Sequence, residues 1–362
     1  SCHPAWPLPW HASVPSAVAD AVIERYPYMM PTRRLCLIIV ALAWALPAAA
    51  KPGRAVAEAG IATAHPLATQ AGEEVMAAGG NAFDAAVAIS AALAVVEPFA
   101  SGLGGGAFWL LHEAKGGKQT FVDAREVAPG AATRDEMVKP RPGATLDGPL
   151  AAGIPGQPAG LAHLAKRYGR LPLKKSLAPA IRFAEEGVEV TRSMELGLRF
   201  RATAARSSPA LAALYLPGGK ALVAGDRVRY PDLANTLRQI ATDGRDGFYR
   251  GRVAELLVDG VRAAGGIWTL EDLARYEVIE RQPIRSRFQD MTIVSAPPPS
   301  AGGVALANVL QILGGYQLDR LAPADRKHLI IEAMRQAYRD RAIYLGDPAF
   351  VTMPLDRLLS PY

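Results

Sequence analysis

Past position 36 the sequence has no cysteine; its two, Cys2 and Cys36, both lie near the start. The rest of the chain is thereby excluded from disulfide frameworks, thiolate metal sites and cysteine nucleophiles. Histidine is also sparse. His3, His11, His65, His112, His163 and His328 include no pair at zinc-ligand spacing, so they read as structural or surface residues and no metal is expected. There is no Gly-x-Ser-x-Gly elbow, which leaves Ser300, in the Pro-rich turn Pro297-Pro298-Pro299-Ser300, a structural reading. Charge of one sign is nowhere concentrated: 40 Lys and Arg stand among 34 Asp and Glu, interspersed as in Arg134-Asp135 and Arg245-Asp246. A nucleic-acid partner would need basic residues gathered on one face, so none is expected. No fixed-period repeat or long low-complexity segment is present.

One apolar run of note remains, Leu35 to Leu46, preceded by Arg33-Arg34 and closed by Pro47-Ala48-Ala49-Ala50. It is too short to span a bilayer comfortably. A basic start, a short apolar core and a small-residue end together make a signal peptide over residues 29–50, from Met29 to Ala50, with no stable membrane span. Residues 1–28, rich in Pro and Trp, read as an upstream extension, and residues 51–362 as the exported region. A periplasmic or secreted location follows. With 50% apolar residues, the chain can bury a core for one large domain or two ordinary ones.

Apolar spacing predicts a short buried strand over 60–64 and a helix over 65–78 stopped by Gly79-Gly80. Asn81 can cap a second helix over 82–96, whose Ala, Val and Ile all round mark it as buried. Strands are expected over 107–111 and 119–123, joined by the turn Lys115-Gly116-Gly117-Lys118. Further helices are expected over 157–168, 176–186, 231–241, 253–264, 303–313 and 325–344, with a strand over 291–295. Thr269-Leu270-Glu271-Asp272 has the spacing of a capping box. Strands adjacent by hairpin, with packed helices, suggest a layered α+β domain and not a doubly wound sheet.

Gly102-x-Gly104-x-x-Ala107 nominally fits the dinucleotide fingerprint, but it follows a helix and opens a strand, the reverse of the required context. It also lacks the Lys-Ser/Thr of a phosphate loop, so a nucleotide-dependent oxidoreductase and a cofactor are disfavoured. Close backbone packing, or a glycine loop that admits another segment or a ligand, is the better reading. The paired carboxylates Glu73-Glu74, Glu185-Glu186 and Glu271-Asp272 read as solvated helix faces. Asp123-Ala124-Arg125-Glu126 differs, because it falls where an apolar strand ends, and sites are built at strand ends. Arg125 could hold a substrate carboxylate through two parallel hydrogen bonds. A local Asp–Arg–Glu ion network explains the same residues equally well.

Eight segments in order resemble the γ-glutamyltranspeptidases. They are Asn81-Ala82-Phe83-Asp84-Ala85-Ala86-Val87-Ala88, Gly102-Leu103-Gly104-Gly105-Gly106-Ala107-Phe108, Asp123-Ala124-Arg125-Glu126-Val127-Ala128-Pro129 and Ala132-Thr133-Arg134-Asp135, then Gly153-Ile154-Pro155-Gly156, Asp246-Gly247-Phe248-Tyr249-Arg250-Gly251, Pro297-Pro298-Pro299-Ser300-Ala301-Gly302-Gly303 and Tyr344-Leu345-Gly346-Asp347-Pro348. The resemblance runs from about Ala55 onward and corresponds to the family's N-terminal large subunit. It implies an N-terminal-nucleophile hydrolase fold, a four-layer αββα sandwich, of which only the large-subunit part is present. It also implies a precursor that cleaves itself, freeing a threonine whose own amine activates the hydroxyl. The γ-glutamyl group of glutathione or another γ-glutamyl compound passes to that threonine, then to water or an amino-acid or peptide amine. In the family the arginine of the Arg-Glu-x-Ala-Pro segment binds the substrate α-carboxylate; by position this is Arg125. No segment here resembles the Thr-Thr-His cleavage site, since Val351-Thr352-Met353-Pro354 does not. The nucleophile and the small subunit are therefore expected outside these 362 residues, and the fragment alone is expected to be inactive. The large-subunit motifs also admit a β-lactam (cephalosporin-type) acylase, and a truncated non-catalytic binding protein is the alternative of a different class.

Overall fold

The computed structural model describes residues 59–135 and 147–360; the expected extension over 1–28 and signal peptide over 29–50 lie outside them. Helix α1, Pro66–Ala77, starts where His65 turns extended and its Nδ1 accepts the Leu67 N–H at 3.1 Å. Burial pushes the His65 imidazole pKa down, which suits an acceptor nitrogen. Gly79, at φ 91°, lets the chain turn away after the helix. Helix α2, Ala82–Val96, has the expected bounds. Asn81 and Asp84 form a full capping box, and Asp84 is fully buried. The Asp84 carboxylate also accepts the N–H groups of Arg170 (2.9 Å) and Leu171 (3.3 Å). Backbone donors thus satisfy a buried charge while tying α2 to a loop 86 residues away.

Strand β1, Ala107–Glu113, and strand β2, Lys118–Ala124, form an antiparallel hairpin, in register from Ala107 opposite Ala124 to Glu113 opposite Lys118. Gly116 and Gly117 supply the positive φ of its turn. A third strand, β3, Ile279–Arg281, pairs with the far edge of β2 and makes it the central strand. Helix α3, Gln157–Tyr168, packs on β2, and α4, Leu173–Glu186, packs against α2. The first turn of α4 precedes the expected start because Lys174 and Lys175 face solvent, where apolar spacing leaves no mark. Helices α5, Pro231–Asp243, α6, Asp246–Tyr249, α7, Gly251–Ala263, and α8, Leu270–Arg275, follow.

A second hairpin, β4 (Ile284–Phe288) with β5 (Met291–Ser295), carries helix α9, Gly302–Gly314, which packs in turn on the 22-residue helix α10, Pro323–Tyr344. These sheets are antiparallel, as the α+β reading requires. Residues from Ile61 on belong to one compact unit. One expectation fails: residues 60–64 form no strand. A run of apolar residues marks extended chain, but a strand needs a neighbour, and none of the described strands pairs with this one. No described helix is long and apolar enough to cross a membrane.

Candidate functional site

The site is built where β2 ends. Asp123 is buried, 5% exposed, and its Oδ2 accepts from Arg281 Nε at 2.8 Å. Its Oδ1 accepts the backbone N–H of Arg125 at 3.0 Å. Arg281 reaches Asp123 because β3 places it opposite Phe121, two positions along the same face of β2. The Asp123 charge is therefore balanced by an arginine 158 residues away, and it touches Arg125 only through the main chain.

This separates the two readings of Asp123, Arg125 and Glu126. Arg125 is exposed and makes no ion pair among the described residues; its guanidinium lies 5.9 Å from the centre of the Phe108 ring. Phe108 gives that cation an aromatic flank, and the planar donor fork stays unspent, as a carboxylate ligand requires. Gly106, Ala107, Phe108, Arg125 and Glu126 bound an open cleft of about 280 Å³, close to the lower limit of about 300 Å³ for small-molecule pockets. A cleft of about 760 Å³ lies between α3 and the 241–246 turn, and three of its lining side chains are already engaged. His163 bonds Glu280 at 2.9 Å, Arg245 bonds the Tyr276 carbonyl at 2.8 Å, and Asp246 bonds Arg245 at 2.8 Å. Among the described residues no cluster of three or more His, Cys, Asp or Glu could hold a metal ion.

Gly106 lines the cleft. A Cβ on Gly106 would lie 2.7 Å from both the Ala124 carbonyl oxygen and Glu126 Oε2, whereas Gly102 and Gly104 have open space around them. Of the glycine run, Gly106 is thus the one that space dictates. The Gly105 carbonyl accepts the N–H groups of Gly156 (2.9 Å) and Gln157 (3.0 Å), capping α3, which has no side-chain cap. Gly156 in turn sits so tightly that a Cβ would overlap the Ala124 carbonyl and the Tyr276 hydroxyl. The run does open a strand, and at Gly106 the close backbone packing that the sequence suggested is present.

Sequence reasoning missed a second strut. The Asp272 carboxylate completes the capping box at Thr269, but its Oδ1 also accepts the Gly130 N–H at 2.8 Å, which fixes the loop after Arg125. Asp272 is half-buried, so it corrects the reading of Glu271-Asp272 as a solvated face. Glu185 is exposed and paired to Arg238, whereas Glu74, half-buried like Asp272, is held by Arg182 at 2.8 Å. Burial pushes the Asp272 carboxyl pKa up, but hydrogen bonds from Gly130 and Thr269 outweigh it and hold it below the ordinary 3.8. A depressed folded-state pKa gives stabilisation that is complete above the unfolded value and lost as pH falls through the folded one. Asp272→Asn is expected to lower stability by about 1 kcal/mol at neutral pH. In denaturant titrations that difference should shrink as the pH falls below the ordinary carboxylate range; a difference constant with pH would contradict the assignment.

Residues 68–362 match the model of a family described as gamma-glutamyltranspeptidase. A glutathione hydrolase proenzyme from Pseudomonas sp. strain A14 is 41% identical over 311 residues, covering 83% of this chain and 53% of the relative. An acylase ACY 1 proenzyme from Pseudomonas sp. strain SE83 is 39% identical over 314 residues, covering 83% and 56% respectively. The chain therefore spans about half the length of the curated relatives it matches. The crystal structure of Helicobacter pylori gamma-glutamyltranspeptidase superposes with a TM-score of 0.80 at 39% identity, covering 83% of this chain and 88% of that one.

Proposed function

The chain belongs to the γ-glutamyltranspeptidase family, whose solved members have the N-terminal-nucleophile hydrolase fold it shares, and on that premise we propose that the complete protein transfers γ-glutamyl groups from glutathione and related compounds to water or to amine acceptors. The observation that carries this reading is the uncommitted guanidinium of Arg125 in the cleft beside Phe108 and Glu126. A γ-glutamyl donor presents a free α-carboxylate, the planar anion that an arginine fork binds by two parallel hydrogen bonds. Anchoring that end holds the donor in the site with its γ-carbonyl in reach of the nucleophile, a binding contribution that ground and transition states share.

The nucleophilic threonine and its oxyanion donors are assigned to the part of the relatives that this chain does not span. That part, released by self-cleavage, is the proposed small-subunit partner. Helix α10 supports the assignment: it buries Ala333, Ala337 and Asp340 but leaves Ile331, Met334 and Tyr338 exposed at helical spacing. An apolar stripe of this kind on a surface helix calls for a covering segment. We assign residues 29–50 to a signal peptide and 51–362 to the large-subunit region, which places the enzyme in the periplasm or outside the cell.

The test is turnover by the complete self-processed protein of a γ-glutamyl anilide, compared with a 4-aminobutyryl anilide, which lacks the α-carboxylate, and a glutaryl-cephalosporin. Strong preference for the γ-glutamyl donor is expected. Preference for the cephalosporin side chain would favour the acylase reading that the ACY 1 relative suggests.

A further inference from the structure

A buried aromatic column stands directly under Arg125. Tyr276, 3% exposed, follows α8, and its hydroxyl donates to the carbonyl oxygen of Arg125 at 2.8 Å. Its ring stacks on Tyr249, with centroids 5.4 Å apart and planes 14° from parallel. The Tyr249 hydroxyl donates to the Pro155 carbonyl at 2.6 Å and accepts the Ala159 N–H at 3.3 Å. Arg245 closes the column, its guanidinium 4.8 Å from the centre of the Tyr249 ring. The same guanidinium donates to the carbonyls of Ala274 (2.7 Å) and Tyr276 (2.8 Å), so the end of α8 is capped by the residue that holds the stack.

We propose that Tyr276 is a positioning residue for Arg125: its hydroxyl fixes the main chain from which the carboxylate-binding guanidinium projects. The inference rests on the reading of Arg125 given above. Three observations separate it from ordinary core packing. The hydroxyl bonds Arg125 itself, although other carbonyls, such as that of Ala124, lie close by. Burial, followed by the negative charges of Asp123 and Glu126, raises the phenol pKa, so the group remains a donor over the working pH range. Asp272, four residues earlier, holds Gly130, so residues 272–276 grip the 125–130 segment at both ends. Small displacements of a binding group lengthen and misalign the hydrogen bonds it makes to its ligand, and a main chain clamped at two points resists them.

Tyr276→Phe keeps the stack and removes one hydrogen bond. In the complete processed protein, KM for the γ-glutamyl anilide is expected to rise about 5-fold, the size of one neutral hydrogen bond. Its kcat should stay within about 2-fold, and kcat/KM for the 4-aminobutyryl anilide should not change, since no carboxylate is there to misplace. Equal losses for both donors, or a fall in kcat alone, would show that Tyr276 serves only the fold and would overturn the proposal. If Tyr276→Phe is not processed, Arg245→Lys loosens the same column without touching the hydroxyl, and the same donor-selective rise in KM is expected of it; a donor-independent loss there would also overturn the proposal. Should Arg125→Ala leave the donor preference intact, the reading of Arg125 fails instead, a result separable from either.

Discussion

Arg125→Ala in the complete protein is expected to lower kcat/KM for a γ-glutamyl donor about 100-fold. Two charge-assisted hydrogen bonds of about 1.5 kcal/mol each are removed, and each 1.4 kcal/mol corresponds to a factor of ten. The loss should fall mainly on KM, because the α-carboxylate lies away from the reacting carbonyl and is held alike in ground and transition states. Folding should change little: the side chain is exposed, forms no ion pair among the described residues and lies over the Phe108 face, a contact worth about 0.5–1 kcal/mol at an exposed site. Arg125→Lys should fall between, since an ammonium keeps the charge but not the fork. Kinetics on the three proteins, with a melting curve for each, make the comparison. An alanine variant with unchanged donor kinetics would remove Arg125 from the site.

Gly156→Ala should instead attack the scaffold. A methyl group there overlaps the Ala124 carbonyl oxygen and the Tyr276 hydroxyl. Neither can retreat freely, because Ala124 is paired with Ala107 at the end of the hairpin and Tyr276 is stacked on Tyr249. Overpacking of this severity costs about 3 kcal/mol or more, a fall in melting temperature of about 5 °C for a domain of this size. Gly104→Ala provides the contrast. Its Cβ would meet nothing within 4 Å, and its φ is not in the left-handed region, so it should melt within about 2 °C of the parent protein. The two variants separate glycines required by close approach from one that merely accompanies them. Equal melting temperatures would mean that the chain relaxes around position 156 and that the packing under Arg125 is looser than described.

Local chemistry made much of this legible in the sequence. Asn81 followed three residues later by Asp84, and Pro98 beyond the last apolar residue, bracketed α2 correctly because caps and breakers act within a few residues. The β1–β2 hairpin announced itself through two apolar runs around Gly116-Gly117, and Arg125 stood out at its end. What escaped notice was decided across long separations. That Asp123 takes Arg281 as its partner, and leaves Arg125 free, depends on β3 crossing from 158 residues away. The Asp272 contact to Gly130 spans 142 residues, and Tyr276 offered nothing to distinguish it from any core tyrosine. β4 was within reach: Ile284, Ser286 and Phe288 alternate with Arg285 and Arg287 at the period of a half-exposed strand, and they do pair with β5. The strand expected over 60–64 failed for the opposite reason, because an apolar run cannot supply its own partner.

The most direct measurement is a crystal structure of the complete processed protein with L-glutamate bound. The account predicts the α-carboxylate against the Arg125 guanidinium, with two N–O distances of about 2.7–2.9 Å, Phe108 flanking the cation and the Tyr276 hydroxyl still on the Arg125 carbonyl. A carboxylate held by another cation, with Arg125 pointing to solvent or paired to a protein acid, would contradict it.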